Sequence, residues 1–150
     1  MTTIYLVRHA HAEWHPDENR PLSERGRASA IVVGELLSKS PVRAIYSSPA
    51  RRALETVELL AHRLHLEPVK VADLRERELR VEAGMDFETA VKAAWLAPES
   101  ASVGSESNVV AQARGLAAIR RIVGEQTGGH SVWTYETIKI IRSYMNKKRT

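Results

Sequence analysis

The chain has no cysteine among its 150 residues, which excludes disulfide staples, thiolate metal sites and a cysteine nucleophile. Aromatic residues are scarce, 5% of the sequence with a single phenylalanine. The aromatic-and-basic interleaving that binds single-stranded nucleic acid is absent. No apolar run approaches the roughly 20 residues needed to cross a bilayer. The N-terminus also lacks the basic stretch followed by a long apolar one that marks a signal peptide. The expectation is a cytoplasmic protein with no membrane partner and no nucleic-acid partner. Internal repeats and low-complexity segments are missing too. Acidic residues are outnumbered, 18 against 22 Lys and Arg, giving a formal net charge of +4 and a pI near 9.6. That excess favours an anionic partner, with Lys147, Lys148 and Arg149 set aside as a solvated tail. A hydrophobic fraction of 43% and a charged fraction of 27% are those of a globular chain with a real core, expected as one domain over residues 1–150.

What is present is an alternation of strand and helix signals. Residues 4–7 form an apolar, β-branched-rich run that stops at Arg8-His9, the pattern of a short buried strand. Residues 9–22 read as a polar, His-rich loop. Ser23 suits a helix cap, and Ala28, Ile31, Val32 and Leu36 fall on one face of the helix that follows; this face is expected to be its core side, with the end near residues 38–41. Residues 42–46 read as a second buried strand. Ser48-Pro49 reads as a helix start with Pro at the first helical position, followed by a core stripe of Ala53, Leu54, Val57, Leu60, Ala61 and Leu64. A third short strand is expected at residues 68–71. This order predicts a three-layer α/β/α sandwich with a mostly parallel central sheet.

The second half is less regular. Residues 73–82 are densely charged and Gly84 marks a turn. A helix is expected over 86–97 with Phe87, Val91 and Trp95 inward, then a connector over 98–107. Residues 108–126 read as a helix marked by Val109, Leu116, Ile119 and Val123, ended by Gly128-Gly129. Residues 131–135 would be a fourth strand, and Ile138, Ile141 and Met145 suggest a short terminal helix.

In open α/β sheets, ligands bind beyond the carboxyl ends of strands, so Arg8 and His9 would be delivered to the mouth of a pocket. A guanidinium matches two oxygens of a phosphate or carboxylate at once. An imidazole beside it can act as acid, base or nucleophile near neutral pH. Ser48-Pro49-Ala50-Arg51-Arg52-Ala53 starts a helix directly after the second strand. Helix N-termini offer N–H groups and partial positive charge to anions, and Arg52 would reach the same anion. Glu76, in the charged loop after the third strand, is a carboxyl suited to protonate a leaving alkoxide, with Glu78 as its rival. Taken singly, these residues also read as ordinary surface: Arg51, Arg75, Arg77 and Arg80 as solvated charges, His62 and His65 as exposed helix positions. His9, His11 and His15 without a neighbouring carboxylate pair make a weak metal cluster. Trp14 either covers a substrate or packs on the domain.

In these motifs, over residues 2–132, the sequence resembles the histidine phosphatase superfamily, the phosphoglycerate-mutase-like proteins. Arg8-His9-Ala10 is similar to its Arg-His-Gly signature, in an Ala variant of short members resembling small phosphohistidine phosphatases. Pro21-Leu22-Ser23-Glu24-Arg25-Gly26 matches its Leu-Ser/Thr-x-x-Gly helix start. Residues Ser47-Ser48-Pro49-Ala50-Arg51-Arg52-Ala53-Leu54-Glu55-Thr56 match its Ser-Ser-Pro-x-x-Arg-Ala-x-x-Thr segment. Leu74-Arg75-Glu76 matches its Leu-x-Glu and Gly104-Ser105-Glu106-Ser107 its Gly-Gly-Glu-Ser. The resemblance implies that His9 becomes phosphohistidine, that Arg8 and Arg52 hold phosphoryl oxygens, and that Glu76 donates the proton. It implies no metal and no cofactor. The ligands it implies are a small phosphorylated substrate, a phosphomonoester or phosphohistidine, and inorganic phosphate.

One stretch departs from the family pattern, which places a second His just after its last core strand. Here Gly128-Gly129-His130-Ser131-Val132 leads into that strand, but Trp133-Thr134-Tyr135-Glu136-Thr137 follows. Ungapped comparison puts Glu136 where the imidazole would fall, and a carboxylate there repels phosphate unless protonated or turned away. The tail, residues 133–150, is atypical. His11 and His15 are substitute imidazoles, and Ser23 closes the same loop as a further candidate. Three functions therefore stay open. The first is a phosphatase and the second an impaired relative that binds phosphorylated ligands without turnover. The third is a mutase-type phosphotransferase, for which so short a chain has little material to build a second substrate site. Loss of the usual C-terminal part would expose apolar surface and favour a homodimer.

Overall fold

Strand runs separated by single helices can pair only in parallel, because each helix carries the chain back across the sheet. The computed structural model, which describes residues 3–15, 19–125 and 130–135, shows this arrangement. Strands β1 (Thr3–Arg8), β2 (Val42–Ser47), β3 (Val69–Lys70) and β4 (His130–Tyr135) form one sheet in the order β1-β4-β2-β3, every neighbouring pair parallel. The helices are α1 (Glu24–Leu37), α2 (Arg51–Leu64), α3 (Phe87–Leu96) and α4 (Asn108–Glu125). Two compact units divide the chain. The first holds Met1–Arg75 and Ala118–Glu136, including the whole sheet; the second is built on Glu76–Ala117.

The pleat of the first unit sends alternate residues to opposite faces. Ile45 and Val132 join Val42, Val57, Leu60 and Ala61 on the α2 side. Tyr46 and Trp133 join Val71, Leu74, Ala118 and Ile122 on the other, where the end of α4 covers the sheet. The unit thus has three layers, as expected. Trp133 is fully buried, meets Tyr46 edge-on at 5.8 Å between ring centroids, and donates its indole N–H to Ser131 Oγ at 2.8 Å. That bond makes burial of the indole tolerable.

Helix α1 departs from expectation. Ile31, Val32 and Leu36 are exposed, Leu36 by 65%, and Ala28 is exposed with them. The buried residues are Gly26, Ala30 and Gly34. The reason is close approach, since α1 packs on α2 and a Cβ on Gly34 would lie 3.1 Å from the Leu59 side chain. Only small residues fit that seam, so the larger apolar stripe turns outward. Helix α2 buries Ala53, Val57, Leu60 and Ala61 as read from its period, and adds Arg52 and Thr56. It begins at Arg51 with Ala50 as N-cap. Pro49 therefore lies before the helix rather than at its first position, in a turn where Ser48 Oγ accepts from Ala50 N at 3.3 Å. His65 lies just past α2 as its left-handed cap (φ 52°), not on the helix, and Leu66 N donates to Ala61 O at 3.0 Å.

In the second unit α3 runs over the expected span, capped by Asp86, whose carboxylate accepts from Thr89 N at 3.0 Å. The Thr89 hydroxyl, which donates to Asp86 Oδ2 at 2.6 Å, and with it the Thr89 backbone N–H hold the Asp86 carboxyl below the usual carboxylate range. Its inner face is not the expected one: Phe87 and Trp95 are exposed and Ala90 is buried. The stripe of α4 is likewise shifted. Ala111, Ala118 and Ile122 are buried, whereas Val109 and Val123 are exposed and Leu116 and Ile119 half-buried. In both helices alanine takes the tight contact that the larger apolar residues had suggested for themselves. Gly128-Gly129, the terminal helix signal at Ile138, Ile141 and Met145, and Glu136 lie outside the described residues. No helix among the described residues is long and apolar enough to cross a membrane.

Candidate active site

All strands being parallel, their carboxyl ends share one edge. In register, Arg8 of β1 sits beside Tyr135 of β4, and Val7, Thr134 and Ser47 form the row behind them. His9 follows Arg8 directly. Ser48 follows Ser47, stays fully buried, and donates its backbone N–H to Thr134 O at 3.3 Å. Four residues on from Ser47, α2 begins, so this edge carries the strand-borne Arg8-His9 pair and the N-terminus of α2 together.

That helix end is built differently from those of α1 and α3. Ser23 and Asp86 cap their helices with side-chain oxygens, but Ala50 brings no side-chain cap to α2. In its first turn Arg52 is 5% exposed, the one charged residue in the core among the described residues. Burying a guanidinium is costly without anionic or carbonyl company. Its neighbour Arg51 faces outward and pairs with Glu55 at 2.6 Å.

His9 is held by its own loop. Its Nδ1 lies 2.7 Å from Ala10 O. A carbonyl oxygen only accepts, so in the neutral ring Nδ1 carries the hydrogen and Nε2 the lone pair. The loop itself is clamped from two sides. Thr56 Oγ1 on α2 accepts Ala10 N–H at 2.9 Å. On the α1 side, Ser23 N donates to His11 O at 3.0 Å, and His11 Nδ1 lies 2.7 Å from Ser23 Oγ. Gly26 makes this contact possible, because a Cβ there would run into the His11 carbonyl oxygen. Glu55 adds a strut, accepting Leu22 N–H at 2.7 Å. His11 is thus engaged at the start of α1, and His9, His11 and His15 do not converge: no group of three metal-ligating side chains exists among the described residues. Trp14 is 82% exposed, which removes the reading that it packs on the domain.

The second unit holds Glu76 in a segment with its own bracing. Glu76 and Glu78 are both exposed. Glu106 N donates to Glu78 O at 2.8 Å, and Arg80 N donates to Ser105 Oγ at 2.8 Å. Gly104 adopts φ 76°, and a Cβ there would meet Arg80 Cδ at 2.9 Å. Glu106 is itself fixed by a bidentate pair with Arg114, at 2.9 and 2.6 Å. Ser107 Oγ accepts from Val110 N at 3.2 Å at the start of α4. The Gly104-to-Ser107 motif is therefore a clasp on residues 78–80. Burial lowers the affinity of Arg77 for its proton, while Glu106 and Glu76 act in the opposite direction.

Of the candidates, Arg8, His9, Arg52, His11 and Ser23 belong to the first unit, the first three at one sheet edge and the last two bracing the loop. Glu76 belongs to the second unit, and Glu136 is outside the described residues. Thr56, Glu55 and Gly26 were not singled out by sequence as holders of the His9 loop. The only signal was their place inside matched motifs.

Comparison with known proteins agrees with this fold. The family model of the histidine phosphatase superfamily (branch 1) matches residues 4–146. The Bacillus subtilis uncharacterized phosphatase PhoE is 32% identical over 98 residues, 61% of this chain and 51% of that protein. Phosphoserine phosphatase 1 of Hydrogenobacter thermophilus is 34% identical over 91 residues, 57% of this chain and 41% of that one. The chain thus spans about half the length of the curated relatives it matches. Among solved structures, Bacillus stearothermophilus YhfR superposes with a TM-score of 0.78 at 26% identity, covering 99% of this chain and 80% of its own.

Proposed function

The chain belongs to branch 1 of the histidine phosphatase superfamily, and from that premise we propose that it hydrolyses a small phosphomonoester or phosphohistidine through a covalent intermediate on His9. The observation that carries the reading is the bond from His9 Nδ1 to Ala10 O at 2.7 Å. It turns the ring into the tautomer whose Nε2 has a lone pair to attack phosphorus. The relatives named phosphatases, one of them for phosphoserine, support a phosphomonoester as substrate class.

In the proposed sequence Nε2 of His9 attacks in line and the P–O bond to the leaving group breaks. The leaving alkoxide takes a proton from the Glu76 carboxyl, a role assigned on the Leu74-Arg75-Glu76 spacing. Glu76, now a carboxylate, takes a proton from water as that water attacks the phosphohistidine. Inorganic phosphate leaves and His9 returns to its starting state. Splitting one hard displacement into two lowers each barrier. Charge on the three equatorial oxygens is met by Arg8, Arg52 and the uncapped N–H groups at the start of α2, so no metal is required.

The test is hydrolysis of an aryl phosphate by the full chain with chelator present, beside His9→Ala and with an alkaline denaturing quench to trap phosphohistidine. Turnover and an acid-labile phosphoprotein in the wild type, both lost in His9→Ala, are expected. Turnover that survives His9→Ala overturns the reading. A folded wild type that binds inorganic phosphate but neither turns over nor labels would instead establish a phosphate-binding relative, the alternative raised by the missing second His.

A further inference from the structure

The orientation of His9 traces to a residue that the proposed chemistry does not use. Thr56 is 1% exposed, and its Oγ1 donates to Arg52 O, one turn back on α2, at 2.6 Å. This is the back-bond a helical Thr makes. With its hydrogen spent there, the hydroxyl has only lone pairs to offer on its other side, and one accepts Ala10 N–H at 2.9 Å. Ala10 in turn offers its carbonyl to His9 Nδ1 at 2.7 Å. The loop from residue 9 to 15 belongs to no helix or strand, so nothing in its own ladder fixes that carbonyl. The chain of bonds runs Arg52 carbonyl, Thr56 hydroxyl, Ala10 peptide, His9 ring.

We propose that Thr56 is a positioning residue whose hydroxyl, acting through Ala10, holds His9 in the Nδ1–H tautomer with Nε2 directed as the basic nitrogen. The same hydroxyl ties the His9 loop to the backbone of Arg52, so both groups keep a fixed relation. As a statement about catalysis this rests on His9 being the nucleophile. As a statement about the ring it stands by itself.

The experiment compares wild type, Thr56→Val and Thr56→Ser, each labelled with ¹⁵N-histidine, with the His9 signals assigned by their loss in His9→Gln. At pH above the ring titration, wild type and Thr56→Ser are expected to show Nδ1 protonated and Nε2 unprotonated. Thr56→Val keeps the volume but loses the acceptor, and its two nitrogens are expected to average or exchange roles. Misplacement of a reacting group costs up to about a hundredfold. Thr56→Val should accordingly lower kcat for an aryl phosphate by about ten- to a hundredfold, with KM within about threefold of wild type. Thr56→Ser should stay within about threefold in both constants. A folded Thr56→Val that keeps the Nδ1–H form overturns the proposal. Should that variant not fold, Thr56→Cys, close in volume and a poor acceptor, carries the same measurement. If the wild type turns nothing over, the phosphatase reading fails while the tautomer comparison still decides the role of Thr56.

Discussion

Helices α1 and α2 are both 14 residues long, follow parallel strands and pack on one another, yet they are built on opposite plans. α2 buries its large apolar stripe against the sheet and leaves its N-terminus without a side-chain cap. α1 buries glycine and alanine, exposes its large apolar stripe, and caps its N-terminus with Ser23, whose hydroxyl also meets the His11 ring at 2.7 Å. The cap residue of α1 thus serves both the helix, accepting Gly26 N–H, and the loop, through its bonds to His11. Under the proposed function, the N–H groups at the start of α2 are left to an anion. A capped junction and an uncapped one after successive strands separate the part that braces the site from the part that binds.

The largest effects should come from breaking the core side of this contrast. Leu60 is fully buried in the α2 layer, and Leu60→Ala should cost about 2–5 kcal/mol, read as a lowered midpoint in urea. A loss below about 0.5 kcal/mol would mean the α2 face is not the core. Next is Gly26→Ala. The added methyl meets a backbone oxygen of His11, which no rotamer change relieves, so α1 and the His9 loop must separate. We expect a loss of about 1–3 kcal/mol. Aryl phosphatase activity should fall by about tenfold or more, because the loop that moves carries the proposed nucleophile. Unchanged stability and activity would show that the clamp on this side is loose.

A smaller change goes the other way. His65 closes α2 in the left-handed region at φ 52°, a conformation glycine adopts without a Cβ penalty. Exposed as it is, His65→Gly should raise stability by about 0.5–1 kcal/mol after the greater entropy of glycine in the unfolded chain is subtracted. Thermal melts at one pH suffice, and a fall in the midpoint would count against the left-handed cap.

Strand and helix positions were legible because period and punctuation survive in the sequence: β2 and α2 announce themselves by Val42, Ile45, Val57 and Leu60, all of which are buried. The inner face of α1 was not legible, since glycine and alanine carry no hydropathy signal and are chosen for the room they leave. The same blindness shifted the faces of α3 and α4 onto Ala90, Ala111 and Ala118. At the site, Arg8, His9 and Arg52 stood out by residue type. Thr56 did not, because its role depends on a bond to Ala10 across 46 residues, and nothing local reports a polar contact at that range. Glu55, bonded to Leu22 across 33 residues, was hidden in the same way.

The exposed stripe of α1 sharpens the comparison with the smallest effect. In an isolated chain Val32 and Leu36 already meet solvent, so Val32→Lys and Leu36→Glu should each shift stability by no more than about 0.5 kcal/mol. They lie on the face opposite Gly26, Ala30 and Gly34, so neither should disturb the seam with α2 or the His9 loop, and activity should be unchanged. The homodimer expected from sequence makes a different forecast. If a second copy covers Ile31, Val32 and Leu36, charges there would destabilise strongly and the melting midpoint of the wild type would rise with protein concentration, as mass action requires. A midpoint flat across a hundredfold range of concentration, together with silent Val32→Lys and Leu36→Glu, would establish that the two helices differ because α1 spends its apolar residues on solvent to obtain a seam narrow enough to hold the loop.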